Sequence, residues 1–196
     1  EAQRNKRAIE PLRNALRINP DDGLAYRHLG TAYKNLGSHK EAVDAFLELI
    51  RIRYKDPQAY YLLALEYSSI RLYDDAIRKL KDAIRLNPDY VDAHFQLSQV
   101  YDLTGELEKS LKEFEEVTRI QPENFEGHFR KGAIYERLKN YKAAAKSFEK
   151  VVSIKPDHTE AHFRLGLNYA KTDRHEGALS EYKKTVQIDP NFASAY

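Results

Sequence analysis

Apolar residues recur along this chain at helical spacing. Tyr26, Leu29, Gly30 and Tyr33 fall at i, i+3, i+4 and i+7, which puts them on one face of a helix. After the polar turn NLGSHKE, Ala42, Phe46 and Leu49 define the inner face of a second helix. The same paired pattern returns in AHFQLSQVYDLTGELEKSLKEFEEV and in AHFRLGLNYAKTDRHEGALSEYKKTV. The pattern predicts an all-α chain built of helix hairpins.

The hairpins keep a fixed period. Tyr33, Tyr67, Tyr101, Tyr135 and Tyr169 are each 34 residues apart, as are Ala8, Ala42, Ala76, Ser110, Ala144 and Ala178. Small residues recur where the two helices of a pair should cross: Gly30, Ala64, Ser98, Gly132 and Gly166. A small side chain there lets the backbones approach closely. A lone hairpin would leave an apolar face in water, and stacking on its neighbours buries it.

Prolines mark the ends of the units, with one exception. Pro20, Pro88, Pro122, Pro156 and Pro190 keep the step, but position 54 holds Tyr54 and Pro57 arrives three residues later. Proline lacks an N–H and restricts the residue before it, so it favours a helix boundary. In the exceptional unit, Asp56 is expected as N-cap and Pro57 as the first helical residue. The preceding helix is then expected to run on to about Arg53 or Tyr54. Pro11 is expected inside the leading helix but near its start, where proline is tolerated.

These residues resemble the tetratricopeptide repeat (TPR), whose pattern is L-G-x2-Y, A-x3-F and a terminal proline. The matches are Leu29-Gly30 with Tyr33 and Ala42 with Phe46; Leu63-Ala64 with Tyr67 and Ala76 with Leu80; Leu97-Ser98 with Tyr101 and Ser110 with Phe114; Gly132 with Tyr135 and Ala144 with Phe148; and Leu165-Gly166 with Tyr169 and Ala178 with Tyr182. The resemblance implies an α-α right-handed superhelix, a solenoid of antiparallel helix hairpins, as a single array over 1–196. Residues 1–22 would be the second helix of a truncated repeat. Repeats would follow at 23–56, 57–90, 91–124, 125–158 and 159–192, and 193–196 would begin a further first helix. The family's tryptophan is replaced by Tyr26, Tyr60, His94, His128, His162 and Tyr196, which are still flat rings. Lys131 stands where the other units have Leu. Either its stem packs while the ammonium reaches the edge, or the charge turns inward toward a ligand or an acidic neighbour.

Composition removes several functions. The 32 basic and 30 acidic residues leave a formal charge of +2, so there is no basic footprint for nucleic acid. No apolar run approaches a bilayer span, so no membrane insertion is expected. The first residues lack the apolar core of a signal peptide. A soluble chain is expected, with a cytoplasmic location favoured, and an opening on Glu1 reads as a fragment or a processed form. Cysteine is absent, which excludes thiol nucleophiles and thiolate metal sites. Phosphate loops and the GxSxG elbow are missing. His94, His128 and His162 inherit the family's aromatic position and are read as packing residues. HTEAH (His158 to His162) does not have the order HExxH. Neither cofactor, metal nor catalytic activity is expected.

In proteins this chain resembles, first helices line a concave groove, and ligand-facing residues occupy the second, fifth, ninth, twelfth and thirteenth places of each unit. The resemblance therefore implies a peptide-binding surface containing Arg27, Thr31 and Lys34; Tyr61 and Leu65; Phe95, Gln99 and Asp102; Phe129, Glu136 and Arg137; and Phe163 and Lys171. Leu24, Leu103 and Leu167 share these places. Tyr61, Phe95, Phe129 and Phe163 form an aromatic row that either anchors a peptide or packs between adjacent first helices. Charge along the row is basic in the first unit, acidic in the third and mixed afterward, which suits a ligand of alternating charge. The carboxylate clamp of the chaperone-binding members is missing, because Arg27, Thr31, Leu62, Asp92 and Gln96 stand there. The asparagine row of the sugar-transferase relatives is replaced by His28, Leu62, Gln96, Arg130 and Arg164. The expected function is a non-enzymatic scaffold holding a peptide or helix of a partner protein. Two alternatives stand beside it. One is self-assembly as a homo-oligomer through uncapped ends, since the leading helix (Ala8, Leu12, Ala15) has no partner. The other is service as the recognition arm of a larger enzyme.

Overall fold

Short polar residues start most of the first helices. The Asp22 carboxylate accepts from the N–H groups of Leu24 and Ala25 at 3.0 and 3.1 Å, and Asp56 accepts from Gln58 at 3.0 Å. Asn124 does the same for Gly127, and the His158 ring for Ala161. Each cap satisfies backbone donors that the first helical turn leaves without partners.

The computed structural model describes residues 2–192, and the helix expected from residue 193, with Tyr196, lies outside them. The described residues form α1 (Ala2–Ile18), α2 (Gly23–Asn35), α3 (His39–Ile52), α4 (Pro57–Ser69), α5 (Tyr73–Leu86), α6 (Val91–Leu103), α7 (Leu107–Ile120), α8 (Phe125–Arg137), α9 (Tyr141–Ile154), α10 (Thr159–Ala170) and α11 (His175–Ile188). No strand occurs among them.

Contacts gather the chain into two compact units, Glu1–Thr104 and Gly105–Tyr196. In the first, α1 packs on α2, the pairs α2–α3 and α4–α5 form hairpins, and α6 packs on α5. Leu29, Phe46, Leu49 and Leu63 are buried together, with Leu12 and Leu16 of α1 against them. Leu80, Leu97 and Val100 continue the core. In the second unit α7 packs on α8, and the hairpins α8–α9 and α10–α11 bury Phe148, Val151 and Leu165. Each such side chain contributes about 1.5–3 kcal/mol by leaving water.

The glycines at the crossings are steric necessities. A Cβ on Gly30 would lie 2.5 Å from the Phe46 ring, one on Gly132 2.8 Å from Phe148, and one on Gly166 2.6 Å from Tyr182. Just after the first helices, Gly37, Arg71, Gly105, Lys139 and Asp173 all take positive φ, between 58° and 81°. They too are 34 residues apart. Only two are glycine, and the turn imposes the same left-handed residue on the other three.

Two expectations fail here. The helix before the missing proline does not run on: α3 ends at Ile52, and Arg53 closes it by donating to the Leu49 carbonyl. The following turn is held by Asp56 N–H donating to the Arg53 carbonyl at 2.9 Å, as Tyr90 does to Asn87, Asn124 to Gln121 and His158 to Lys155. The backbone bond sets the boundary, with or without proline. Asp56 and Pro57 do take the cap and first helical positions. Pro11, in turn, lies inside α1 as expected, but well past its start at Ala2. It removes the bond that would reach the Arg7 carbonyl, and Arg7 is exposed, so water can reach that group.

The three histidines of the aromatic position act structurally. His94, His128 and His162 each donate through Nε2 to the carbonyl of Pro88, Pro122 or Pro156 at 2.9 Å. His94 and His162 are buried, and His162 Nδ1 lies 2.6 Å from the Glu181 carboxylate.

Candidate peptide-binding surface

Phase on the first helices decides which side chains remain available. Leu29 and Tyr33 of α2, Leu63 of α4, Leu97 and Tyr101 of α6, and Leu165 and Tyr169 of α10 are buried. The thirteen residues predicted to face a ligand lie elsewhere on these helices and on α8, and none is buried. Three leucines at the same repeat places stand well out of the core: Leu24 is 50% exposed, Leu103 68% and Leu167 38%.

In the first unit, Arg27 reaches from α2 to the cap of α4, where its Nη2 lies 2.6 Å from Asp56. Thr31 turns its hydroxyl back to the Arg27 carbonyl at 2.8 Å. Tyr61 of α4 meets Tyr90, just before α6, with ring centroids 5.3 Å apart. Burial pushes the Tyr61 phenol above its ordinary pKa, with Asp92 adding to it. Burial first, then the fields of Tyr61, Asp92 and Asp56, raises Tyr90 to about 12, with Arg27 opposing. Both phenols are therefore neutral donors at physiological pH. Lys34, Leu65, Phe95, Gln99 and Asp102 are all half-buried.

In the second unit, Phe129 of α8 packs edge-on against Phe148 at 5.5 Å and stacks on the His158 ring at 5.2 Å. The Arg164 guanidinium of α10 lies 5.4 Å from the Phe129 centroid. Arg164 also binds Glu136 at 2.8 Å and Glu160 at 2.9 Å, while Asn168 donates to Glu136 at 2.6 Å. Phe163 is in contact with Tyr182 and Phe192. Phe129 and Phe163 are thus fixed by neighbours while remaining half-exposed. Arg137 and Lys171 extend into solvent.

Sequence reasoning missed the residues that hold these side chains in place. Asp56, Tyr90, His158, Arg164 and Asn168 orient the predicted set from helices and turns that lie about one repeat away. Only Arg164 carried a signal, as the residue occupying a place the family uses elsewhere for asparagine. Among the described residues, no group of three or more His, Cys, Asp or Glu side chains is placed to hold a metal ion. No helix among them is long and apolar enough to cross a membrane.

Models of the tetratricopeptide repeat match residues 1–65 and 72–128, 125–158, and 159–192. No curated protein matches the sequence. Among solved structures, YrrB, described as a TPR protein with an unusual peptide-binding site, is similar with a TM-score of 0.78 at 20% identity, over 94% of this chain and 95% of its own. A MamA structure is similar with a TM-score of 0.78 at 20% identity, over 87% and 93%. MamA from Desulfovibrio magneticus RS-1 has a TM-score of 0.75 at 19% identity, over 87% and 96%. At these identities the likeness concerns the fold alone.

Proposed function

The chain belongs to the tetratricopeptide repeat family, and from that premise we propose that it is a non-enzymatic interaction module holding a peptide or helix of a partner protein on its first helices. The fold is typical of protein–protein interaction scaffolds. The observation that carries the finer reading is apolar surface left on the first helices of each unit: exposed Leu24 and Leu103 with half-exposed Tyr61 and Phe95 in the first, and exposed Leu167 with half-exposed Phe129 and Phe163 in the second. Exposed apolar patches rimmed by polar groups mark binding surfaces. Aromatic rings already held by their neighbours lose little entropy when a ligand covers them. The peptide-binding site that describes YrrB supports the same reading by analogy of fold. Reading 1–196 as one array belongs to this proposal, and the unbroken register of 34 supports it.

Arg27, Glu136 and Phe129 serve in this reading as pre-positioned contacts. Lys34, Gln99 and Asp102 in the first unit, and Arg137 and Lys171 in the second, supply polar contacts, with Thr31 and Leu65 adding to those of the first. The test begins with peptides selected from a random display library against the chain. Phe95→Ala and Phe129→Ala should weaken the selected peptides by about 2 kcal/mol or more. Phe129 also packs internally, so Leu103→Ser, at an exposed position, separates binding from folding. Unchanged affinity in all three variants, with intact circular dichroism melts, would overturn the proposal.

A further inference from the structure

Peptide binding leaves Lys131 without a role. It occupies the seventh place of its unit, where Leu29, Leu63, Leu97 and Leu165 stand in the others. Its side chain is half-buried, and its ammonium donates to the Thr118 hydroxyl of α7 at 3.3 Å. It makes no ion pair among the described residues. Glu115 of α7, whose field reaches it, is engaged by the Tyr135 hydroxyl at 3.3 Å. A lysine replacing leucine at a packed position, with only a long bond to a neutral hydroxyl, leaves a cation short of counter-charge.

Beside it lies an open cleft of about 240 Å3 between α8 and α9, lined by His128, Lys131, Tyr135, Lys146, Ser147 and Lys150. Lys150 is 2.7 Å from Glu123, whereas Lys146 is exposed and makes no ion pair among the described residues. Lys142, Lys146 and Lys150 follow one another at i, i+4 and i+8 along α9, an arrangement that like-charge repulsion disfavours. The corresponding columns contain acids in every other second helix of the complete repeats: Lys40-Asp44-Glu48 in α3, Asp74-Arg78-Asp82 in α5, Glu108-Lys112-Glu116 in α7 and Glu176-Ser180-Lys184 in α11.

The first unit supplies an internal comparison. The positions that line this cleft recur three repeats earlier around a cleft of about 220 Å3 between α2 and α3, lined there by Tyr26, Leu29, Tyr33, Glu41, Asp44 and Glu48. The repeat geometry makes the hollow, and the side chains decide its charge. In the second unit that charge is positive.

We propose that the α8–α9 cleft is a binding site for a phosphoryl dianion, with Lys131 at its floor and Lys146 and Lys150 at its rim. Three separate ammonium donors suit a group with three acceptor oxygens and up to two negative charges better than a carboxylate. Burial lowers the Lys131 pKa, and an anion beside it would restore the charged form. Neither Phe129 nor Glu136 lines the cleft, so its test is separate from that of the peptide surface.

Equilibrium dialysis of labelled inorganic phosphate against the 196-residue chain, at fixed ionic strength, tests the assignment. Saturable binding is expected, weakened about tenfold or more by Lys131→Leu and by Lys146→Glu. Asp44→Asn in the comparison cleft should leave it unchanged. Leucine is native at the place of Lys131 in other repeats, so that variant should fold, and a thermal melt verifies it. No saturable binding by the parent chain, or binding that both variants retain within about twofold, overturns the proposal. Two sources share this chemistry, and a phosphoserine peptide with its unphosphorylated form distinguishes them. Tighter binding of the phosphopeptide than of phosphate assigns the group to a partner's side chain, and equal binding assigns it to a free phosphate. Equal binding of the unphosphorylated form refutes the phosphoryl assignment.

Discussion

The Tyr60 hydroxyl donates to the Tyr54 carbonyl at 3.0 Å, repeating with a phenol what His94, His128 and His162 do to the carbonyls of Pro88, Pro122 and Pro156. In each case the ring reaches back six residues and pins the turn between successive hairpins. The unit that lacks its boundary proline therefore keeps its boundary contact. Tyr60→Phe should cost about 0.5–1 kcal/mol, since the bond is solvent-exposed. His162→Phe should cost about 2–4 kcal/mol, because it also removes a partner from the Glu181 carboxylate in a buried site. Urea unfolding of both variants measures the difference, and equal losses would contradict it.

The left-handed turn residues offer a test confined to the backbone. A Cβ on Gly37 or Gly105 would meet nothing within 4 Å, so Gly37→Ala or Gly105→Ala acts through φ alone and should cost about 1 kcal/mol. Lys139→Gly should do the reverse, gaining about 0.5 kcal/mol once the freer unfolded chain is counted. Denaturation midpoints check both signs.

Gly30 and Phe46 should behave as a coupled pair. Gly30→Ala forces its Cβ against the ring and should cost about 1–3 kcal/mol. Adding Phe46→Leu recreates the pairing of Ala64 with Leu80 found in the next hairpin and should recover part of that loss. A double-mutant cycle gives the coupling directly, and additivity would contradict the packing argument.

Lys131→Leu should raise stability at neutral pH by about 1 kcal/mol, because a half-buried cation is exchanged for an apolar side chain in a place that favours one. Thermal melts in phosphate-free buffer measure it without interference from an anion. A loss of stability would show that the Thr118 bond outweighs the burial of the charge.

Acid should reveal His128. Burial lowers its imidazole pKa; the Pro122 carbonyl opposes this, Lys131 and Lys150 reinforce it, and Glu123 opposes it. The unfolded chain then takes up a proton, near pH 6.5, before the folded chain does. Stability from this group is complete above that window and falls as pH drops through it toward the folded pKa. His128→Tyr, matching Tyr26 and Tyr60 in the earlier units, should lose less stability than the parent between about pH 6.5 and 5. Parallel urea titrations across that range check the slope.

Much of the fold could be read before any coordinates. The step of 34 located the hairpins, the small residues marked the helix crossings, and the histidine row was recognised as structural. The end of α3 is not legible in the sequence, because a backbone hydrogen bond, and not proline, sets that boundary. The positive φ at Arg71, Lys139 and Asp173 was hidden because none of the three is glycine. For the candidate surface, the repeat places name positions on the first helices that the fold leaves out of the core. They said nothing of Asp56 gripping Arg27, or of Arg164 and Asn168 gripping Glu136.

The sequence by itself determined the period, the helical faces and the residues at which two helices could touch, because these depend on spacing along a regular backbone. Tertiary structure alone decided which charges meet, which rings are held and which are left in solvent, and that Lys131 borders an open cleft. Those outcomes depend on distances of a few ångströms between side chains about 30 residues apart, and packing sets such distances where local periodicity does not.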